Sequence, residues 1–130
     1  MRSALLISIV DDDESIREAT KGLVRSLGYQ AATFSSAEEF LQSDSVDSTS
    51  CLIADVQMPG LSGIDLQRRL TARGNQTPTI FITAFPEERA RGHVMKAGAV
   101  GYLGKPFSEE SLVRCLDSAL GRSGGKMPRT

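Results

Sequence analysis

Apolar, β-branched runs alternate with helical spacings along nearly the whole chain. Leu5-Leu6-Ile7-Ser8-Ile9-Val10 is almost continuously apolar, too short for a helix and followed at once by acids. That is how a strand buried on both faces reads. Over 15–27, Ile16, Ala19, Leu23 and Leu27 fall on one helical stripe, and Gly28 stands where helices commonly stop. Residues 31–34 form a second short strand. Ser36 and Glu39 have the spacing of a capping box ahead of Phe40 and Leu41, which starts a second helix. Residues 42–50 are polar and rich in Ser and Asp, predicting a surface loop. Residues 51–54 make a third strand ending at Asp55, and a turn through Pro59, Gly60 and Gly63 leads into a helix carrying Ile64, Leu66 and Leu70. Residues 79–83 form a fourth strand, and 87–97 a fourth helix ended by Gly98. The apolar face of that helix is thin (Ala90, Val94, Ala97), which predicts the least firmly held helix. Residues 101–103 form a fifth strand, and Ser108 caps a final helix with Leu112, Cys115, Leu116 and Ala119 inward. From Gly121 the chain turns Gly/Ser/Pro-rich, predicting a flexible tail or linker over 121–130.

Strands alternating with helices in this way predict an α/β fold, a doubly wound parallel sheet with right-handed crossovers and helices on both faces. The chain of 130 residues is long enough for one domain, and 40% hydrophobic residues suffice for its core. A formal net charge of -1 argues against a dedicated nucleic-acid binder, whose footprint is a basic excess. No apolar run approaches a membrane span, and the short N-terminal apolar stretch lacks the features of a secretory signal. Cys51 and Cys115 cannot form a disulfide framework, and they read as two buried free thiols in a reducing, cytoplasmic setting.

In open parallel sheets, ligands bind beyond the carboxyl ends of the strands. Strand one ends in Asp11, Asp12 and Asp13, strand three in Asp55 and strand four in Thr83, with Lys105 just past strand five. Clustered carboxylates repel one another unless something positive lies between them. Mg²⁺ answers that repulsion with one or two carboxylates and several waters. Lys105 supplies a fixed positive charge for an anion, and Thr83 a hydroxyl donor. Such a set suits a phosphoryl group with a carboxylate as nucleophile. Asp13 reads as the cap of the following helix.

These pieces resemble the two-component response-regulator receiver domain over 5–120. The matching motifs are IVDDDESIR, LIADVQMPGLSG, IFITAF and KAGAVGYLGKPF, in that order. EEFL, DVQMPGLSGIDLQ and MKAGAV are most similar to the FixJ-like transcription factors, in which a receiver precedes a helix-turn-helix output domain. The resemblance implies a flavodoxin-like (βα)5 sheet with strand order 2-1-3-4-5 and a receiver domain over 1–120. It implies a phosphoacceptor switch rather than an enzyme. Asp55 would take a phosphoryl group from a sensor histidine kinase. Asp12 would bind Mg²⁺ directly and Asp11 through water, with Asp55 and the Gln57 backbone carbonyl completing the protein ligands. Thr83 and Lys105 would contact the phosphoryl group, Pro106 would follow a cis peptide that aims Lys105, and Tyr102 would be the switch aromatic. Phosphorylation would favour a homodimer through helix four, strand five and helix five. The segment holds no DNA-binding element of its own. Gln57 and Phe85 occupy positions that modulate dephosphorylation in the family, and Phe85-Pro86 adds bulk there. His93, the one histidine, receives no role.

Other readings stay open at this point. A stand-alone receiver would act by protein contact alone. A haloacid-dehalogenase-like phosphatase also uses an aspartate and Mg²⁺, but it needs an acid two residues after its nucleophile, where Gln57 follows Asp55. A flavodoxin-like cofactor module would need a phosphate-cradling loop after strand one, where three acids stand instead.

Overall fold

Five parallel strands form one sheet in the order β2-β1-β3-β4-β5: β1 (Leu6–Val10), β2 (Gln30–Phe34), β3 (Cys51–Asp55), β4 (Thr79–Thr83) and β5 (Gly101–Gly104). The computed structural model describes residues 5–121. The strands alternate with α1 (Glu14–Ser26), α2 (Ala37–Leu41), α3 (Gly63–Ala72), α4 (Glu88–Lys96) and α5 (Glu109–Ala119). This is the doubly wound arrangement that the alternation predicts, in the strand order that the family resemblance implies.

The near-continuous apolar runs arise because successive strand residues serve opposite faces of the sheet. Ile7, Ile9, Cys51, Ile53, Ile80 and Ile82 join Val24 of α1 and Leu112 and Leu116 of α5 on one face. Val10, Leu52, Ala54 and Phe81 join Phe40 of α2, Leu66 and Leu70 of α3 and Val94 of α4 on the other. Both faces are therefore core, and every residue of β3 and β4 is buried. Function is left to the strand ends and the loops beyond them.

Local differences from the sequence pattern have identifiable causes. On α1 the buried positions are Thr20 and Val24, whereas Ala19 is exposed. The helix packs on an i, i+4 pair one position round from the expected stripe, and the flanking Leu23 and Leu27 are half-buried. The segment over 42–50 is not wholly loop. Val46, its one large apolar residue, is buried and anchors a 3₁₀ turn at Val46–Ser48. Behind that turn, Thr49 Oγ1 donates to the Ser45 carbonyl at 2.6 Å and lies 2.7 Å from Ser8 Oγ of β1.

The expected capping box of α2 is half-formed. Ser36 Oγ accepts from Glu39 N at 3.0 Å, but the Glu39 carboxylate accepts from Ser35 N and Ser35 Oγ, at 2.7 and 2.9 Å. Those two bonds hold Glu39 below the usual carboxylate range. A complete capping box appears instead at α3, between Ser62 and Asp65. Cys51 is buried as expected, and burial pushes its thiol up to about 12. Cys115 corrects the expectation of a second buried thiol, since it is only partly buried, over Gly101 of β5.

The apolar face of α4 is thin, as its sequence predicts. Val94 is its one buried residue, Ala97 is exposed, and the N-cap Glu87 makes no side-chain capping bond. Except for Gly121 itself, the predicted tail lies outside the described residues.

Candidate functional site

The carboxyl end of the sheet gathers residues from β1, β3 and β5. Asp11 follows β1 and Asp55 ends β3, and both continue the strand parity of the isoleucines on the α1/α5 face. Adjacent pairing of β1 and β3 then places two buried carboxylates side by side. Carboxylate oxygens of Asp11, Asp12 and Asp55 lie within 4.8 Å of one another, with Asp12 the exposed member.

Lys105 answers this cluster from just beyond β5. Its Nζ lies 2.9 Å from Asp11 Oδ2 and 3.2 Å from Asp55 Oδ2. The Lys105–Pro106 peptide bond is cis, and Lys105 N donates to the Thr83 carbonyl at 2.7 Å. Desolvation works against the Lys105 ammonium, but its contacts with Asp11 and Asp55 outweigh burial and raise its pKa. For Asp55 the balance goes the other way. Burial and the neighbouring Asp11 charge push it up to about 6, against the pull of Lys105 and of Gln57 N.

One lysine does not saturate the acids. Asp11 Oδ2 is buried and, apart from its ion-pair contact with Lys105, lacks a hydrogen bond of good geometry. Its second oxygen accepts from Asp13 N at 2.9 Å. A buried acceptor left short, beside two further carboxylates, is a donor set for a hard, oxygen-seeking cation. The residues therefore fit Mg²⁺.

The loop after β3 closes the site. Asp55 Oδ1 accepts from Gln57 N at 3.2 Å, so the backbone of Gln57 is fixed against the phosphoacceptor candidate while its side chain is exposed. Gly63, at the start of α3, packs directly on the Asp55 carbonyl oxygen, where a Cβ would collide.

Thr83 is buried one strand over, and its Oγ1 accepts from Phe85 N at 3.1 Å. No hydrogen bond joins Thr83 to Asp55 among the described residues. Tyr102, on β5, is half-buried, and its hydroxyl accepts from Glu87 N at 3.2 Å. Phe85 is 65% exposed. Asp13 is the N-cap of α1, accepting from Ser15 N and Ile16 N at 2.8 and 3.3 Å.

This geometry has counterparts in known proteins. The family model of the response regulator receiver domain matches residues 7–117. The chain belongs to that family. Receiver domains are phosphoacceptor switches that generally bind Mg²⁺. The receiver is 44% identical over 117 residues to the response regulator protein TodT of Pseudomonas putida strain F1, covering 90% of this chain and 52% of TodT. It is 33% identical over 123 residues to the transcriptional regulatory protein FixJ of Azorhizobium caulinodans, covering 95% of this chain and 58% of FixJ. Among solved structures, the response regulator StyR matches with a TM-score of 0.82 and 40% identity, over 89% of this chain and 59% of that one. The receiver thus spans about half the length of the curated relatives it matches. With the family shown, the dehalogenase-like and cofactor-module readings fall away.

Three contributors were not legible in the sequence. Arg17, one turn into α1, donates from Nη1 to the Asp11 carbonyl at 2.9 Å and ties the acidic loop to the helix. Its sequence signal was a basic residue following an acidic run at helical spacing. Gly63 was assigned to a turn but is the first residue of α3, and a glycine inside a helix was the available hint. Glu38 of α2 reaches the loop after Asp55, and nothing in its own segment points there. Among the described residues, no helix is long and apolar enough to cross a membrane.

Proposed function

We propose that Asp55 accepts a phosphoryl group from the phosphohistidine of a sensor histidine kinase, and that the receiver so modified controls a DNA-binding output domain. The observation that carries this reading is the convergence on Asp55 of two more carboxylates and the Lys105 ammonium, with the Asp11 Oδ2 acceptor left short. Asp11, Asp12 and Asp55 would hold Mg²⁺ together with the Gln57 backbone carbonyl. When bound, Mg²⁺ neutralises charge on the oxygens of the transferring group.

The remaining work falls to the chain's own residues. With its pKa near 6, Asp55 is largely ionised at neutral pH and available as the nucleophile. An Asp55 carboxylate oxygen forms the new bond to phosphorus as the phosphorus–nitrogen bond of the phosphohistidine breaks. The bonding pair leaves on the imidazole nitrogen, and the kinase histidine departs as neutral imidazole because its other ring nitrogen carries the proton. Lys105, already 3.2 Å from Asp55 Oδ2, pairs with the phosphoryl oxygens and holds them in place. The Thr83 hydroxyl, now accepting from Phe85 N, donates to the same group once it turns. That movement loosens the loop joining β4 to α4 and frees Tyr102 from Glu87 N.

The receiver domain then covers 1–120, with 121–130 as the linker to the output domain. The readout surface is α4, β5 and α5, and it pairs with a second copy on phosphorylation. The span of about half of TodT and FixJ supports a receiver that works with an output domain, in a cytoplasmic transcription regulator. Intact mass after incubation with acetyl phosphate tests the core of this reading. One phosphate adduct is expected, dependent on Mg²⁺ and absent from Asp55→Asn. An adduct that persists in Asp55→Asn overturns Asp55 as the acceptor.

A further inference from the structure

We infer that Glu38 is a positioning residue for the Mg²⁺ site, acting through the loop that follows Asp55. The inference rests on the phosphoacceptor reading above and adds a residue to it from an element outside the carboxyl edge.

Glu38 lies on the exposed side of α2, and its carboxylate leaves that helix to cross to the β3–α3 loop. There Oε2 accepts from Leu61 N at 3.1 Å, a contact spanning 23 residues of sequence. The neighbouring glycine is shaped to admit it. Gly60 has φ of +80°, and a Cβ on Gly60 would lie 2.6 Å from Glu38 Oε2. Glu39, next in sequence, is spent on Ser35 within its own helix entry, so the two glutamates have separate tasks.

The loop so held is the one that carries the Gln57 backbone. At one end Gln57 N donates to Asp55 Oδ1, and Val56 O accepts from Gly63 N at 3.0 Å. At the other end Ser62 and Asp65 close the capping box of α3. Between them, Pro59 and Gly60 are exposed, and Glu38 fastens this stretch from outside. A metal ligand that is a backbone carbonyl has no side-chain rotamer to adjust, so its position is the position of the loop. Groups that orient metal ligands typically contribute about 10–100-fold to metal affinity. The exposure of Glu38 places its share at the lower end.

The test is titration with MgCl₂ of wild type, Glu38→Ala and Glu38→Gln, followed by the amide NMR signals of Gln57 and Leu61. Glu38→Ala is expected to weaken half-saturation by about tenfold, while its phosphorylation by acetyl phosphate recovers at saturating Mg²⁺. Glu38→Gln keeps an acceptor oxygen and is expected to restore Mg²⁺ binding to within about twofold of wild type. Because alanine is a strong helix former and the position is exposed, the variant retains the fold. Gly60→Ala approaches the same contact from the loop and is expected to weaken Mg²⁺ binding likewise.

Unchanged half-saturation in both Glu38→Ala and Gly60→Ala overturns the inference. A Glu38→Gln variant as weak as Glu38→Ala also overturns it, since the carboxylate charge rather than the hydrogen bond would then be at work. Failure of the phosphoacceptor reading looks different: wild type itself would neither bind Mg²⁺ nor take up phosphate.

Discussion

Lys105 and Asp55 lie 50 residues apart in sequence and meet at 3.2 Å across the end of an intervening strand. β4 separates β3 from β5, so the lysine reaches over the strand end that carries Thr83. The ammonium lies closer still to Asp11, at 2.9 Å, and serves as a shared counter-ion for two buried carboxylates.

Removing that counter-ion leaves like charges buried together. Lys105→Met is expected to lose about 2–3 kcal/mol of stability at pH 7.5. At pH 5 the loss shrinks, because protonation of Asp55 relieves the repulsion. Urea unfolding at the two pH values checks this, and an equal loss at both would show that the lysine acts by packing alone.

Asp55 itself is a source of instability in metal-free protein. Its folded pKa, about 6, lies above the ordinary 3.8, so the folded state holds the proton more tightly than the unfolded chain. Below pH 4 the group favours the fold. That contribution declines as pH rises through 4 to 6 and is gone above. Asp55→Asn removes the charge and is expected to gain about 1–2 kcal/mol over wild type at pH 7.5, with little gain at pH 4. Denaturation in EDTA across this range provides the measurement, and MgCl₂ should stabilise wild type more than the variant.

Two glycine substitutions should part company. Gly63→Ala drives a methyl group into the Asp55 carbonyl oxygen and against Phe81, where backbone must yield. A loss of about 2–3 kcal/mol is expected, together with weaker Mg²⁺ binding. Gly92→Ala, in α4, meets nothing within 4 Å. It should stabilise by about 0.5–1 kcal/mol. Thermal melts of the pair decide whether close approach to Asp55, rather than glycine content, sets the requirement at position 63.

Tyr102→Phe deletes the acceptor for Glu87 N while keeping the ring. Global stability should change by less than about 1 kcal/mol, whereas the Glu87 amide should exchange with solvent several-fold faster. Hydrogen exchange by NMR reads both, and an unchanged Glu87 rate would show that the hydroxyl does not hold this loop.

The sheet and its acidic edge were legible because strands buried on both faces leave continuous apolar runs and stop at functional residues. Asp11, Asp55 and Lys105 each stand just where such a run ends. Thr83 was equally visible, but its present bond to Phe85 N depends on how the loop turns, which no periodicity records. The α1 stripe was displaced by one position because Thr20, counted as polar, is small enough to be buried. The 3₁₀ turn at Val46 was hidden by the polar residues around a single apolar anchor. Arg17 and Glu38 escaped because they act on backbone groups distant in sequence, and such partners have no spacing rule.

Val94 is the one buried residue of α4, with Met95 partly buried beside it, and burying a valine contributes about 2 kcal/mol. Each of the other four α-helices has two or more buried residues. A shift of α4 therefore disturbs less of the core than a shift of any other helix.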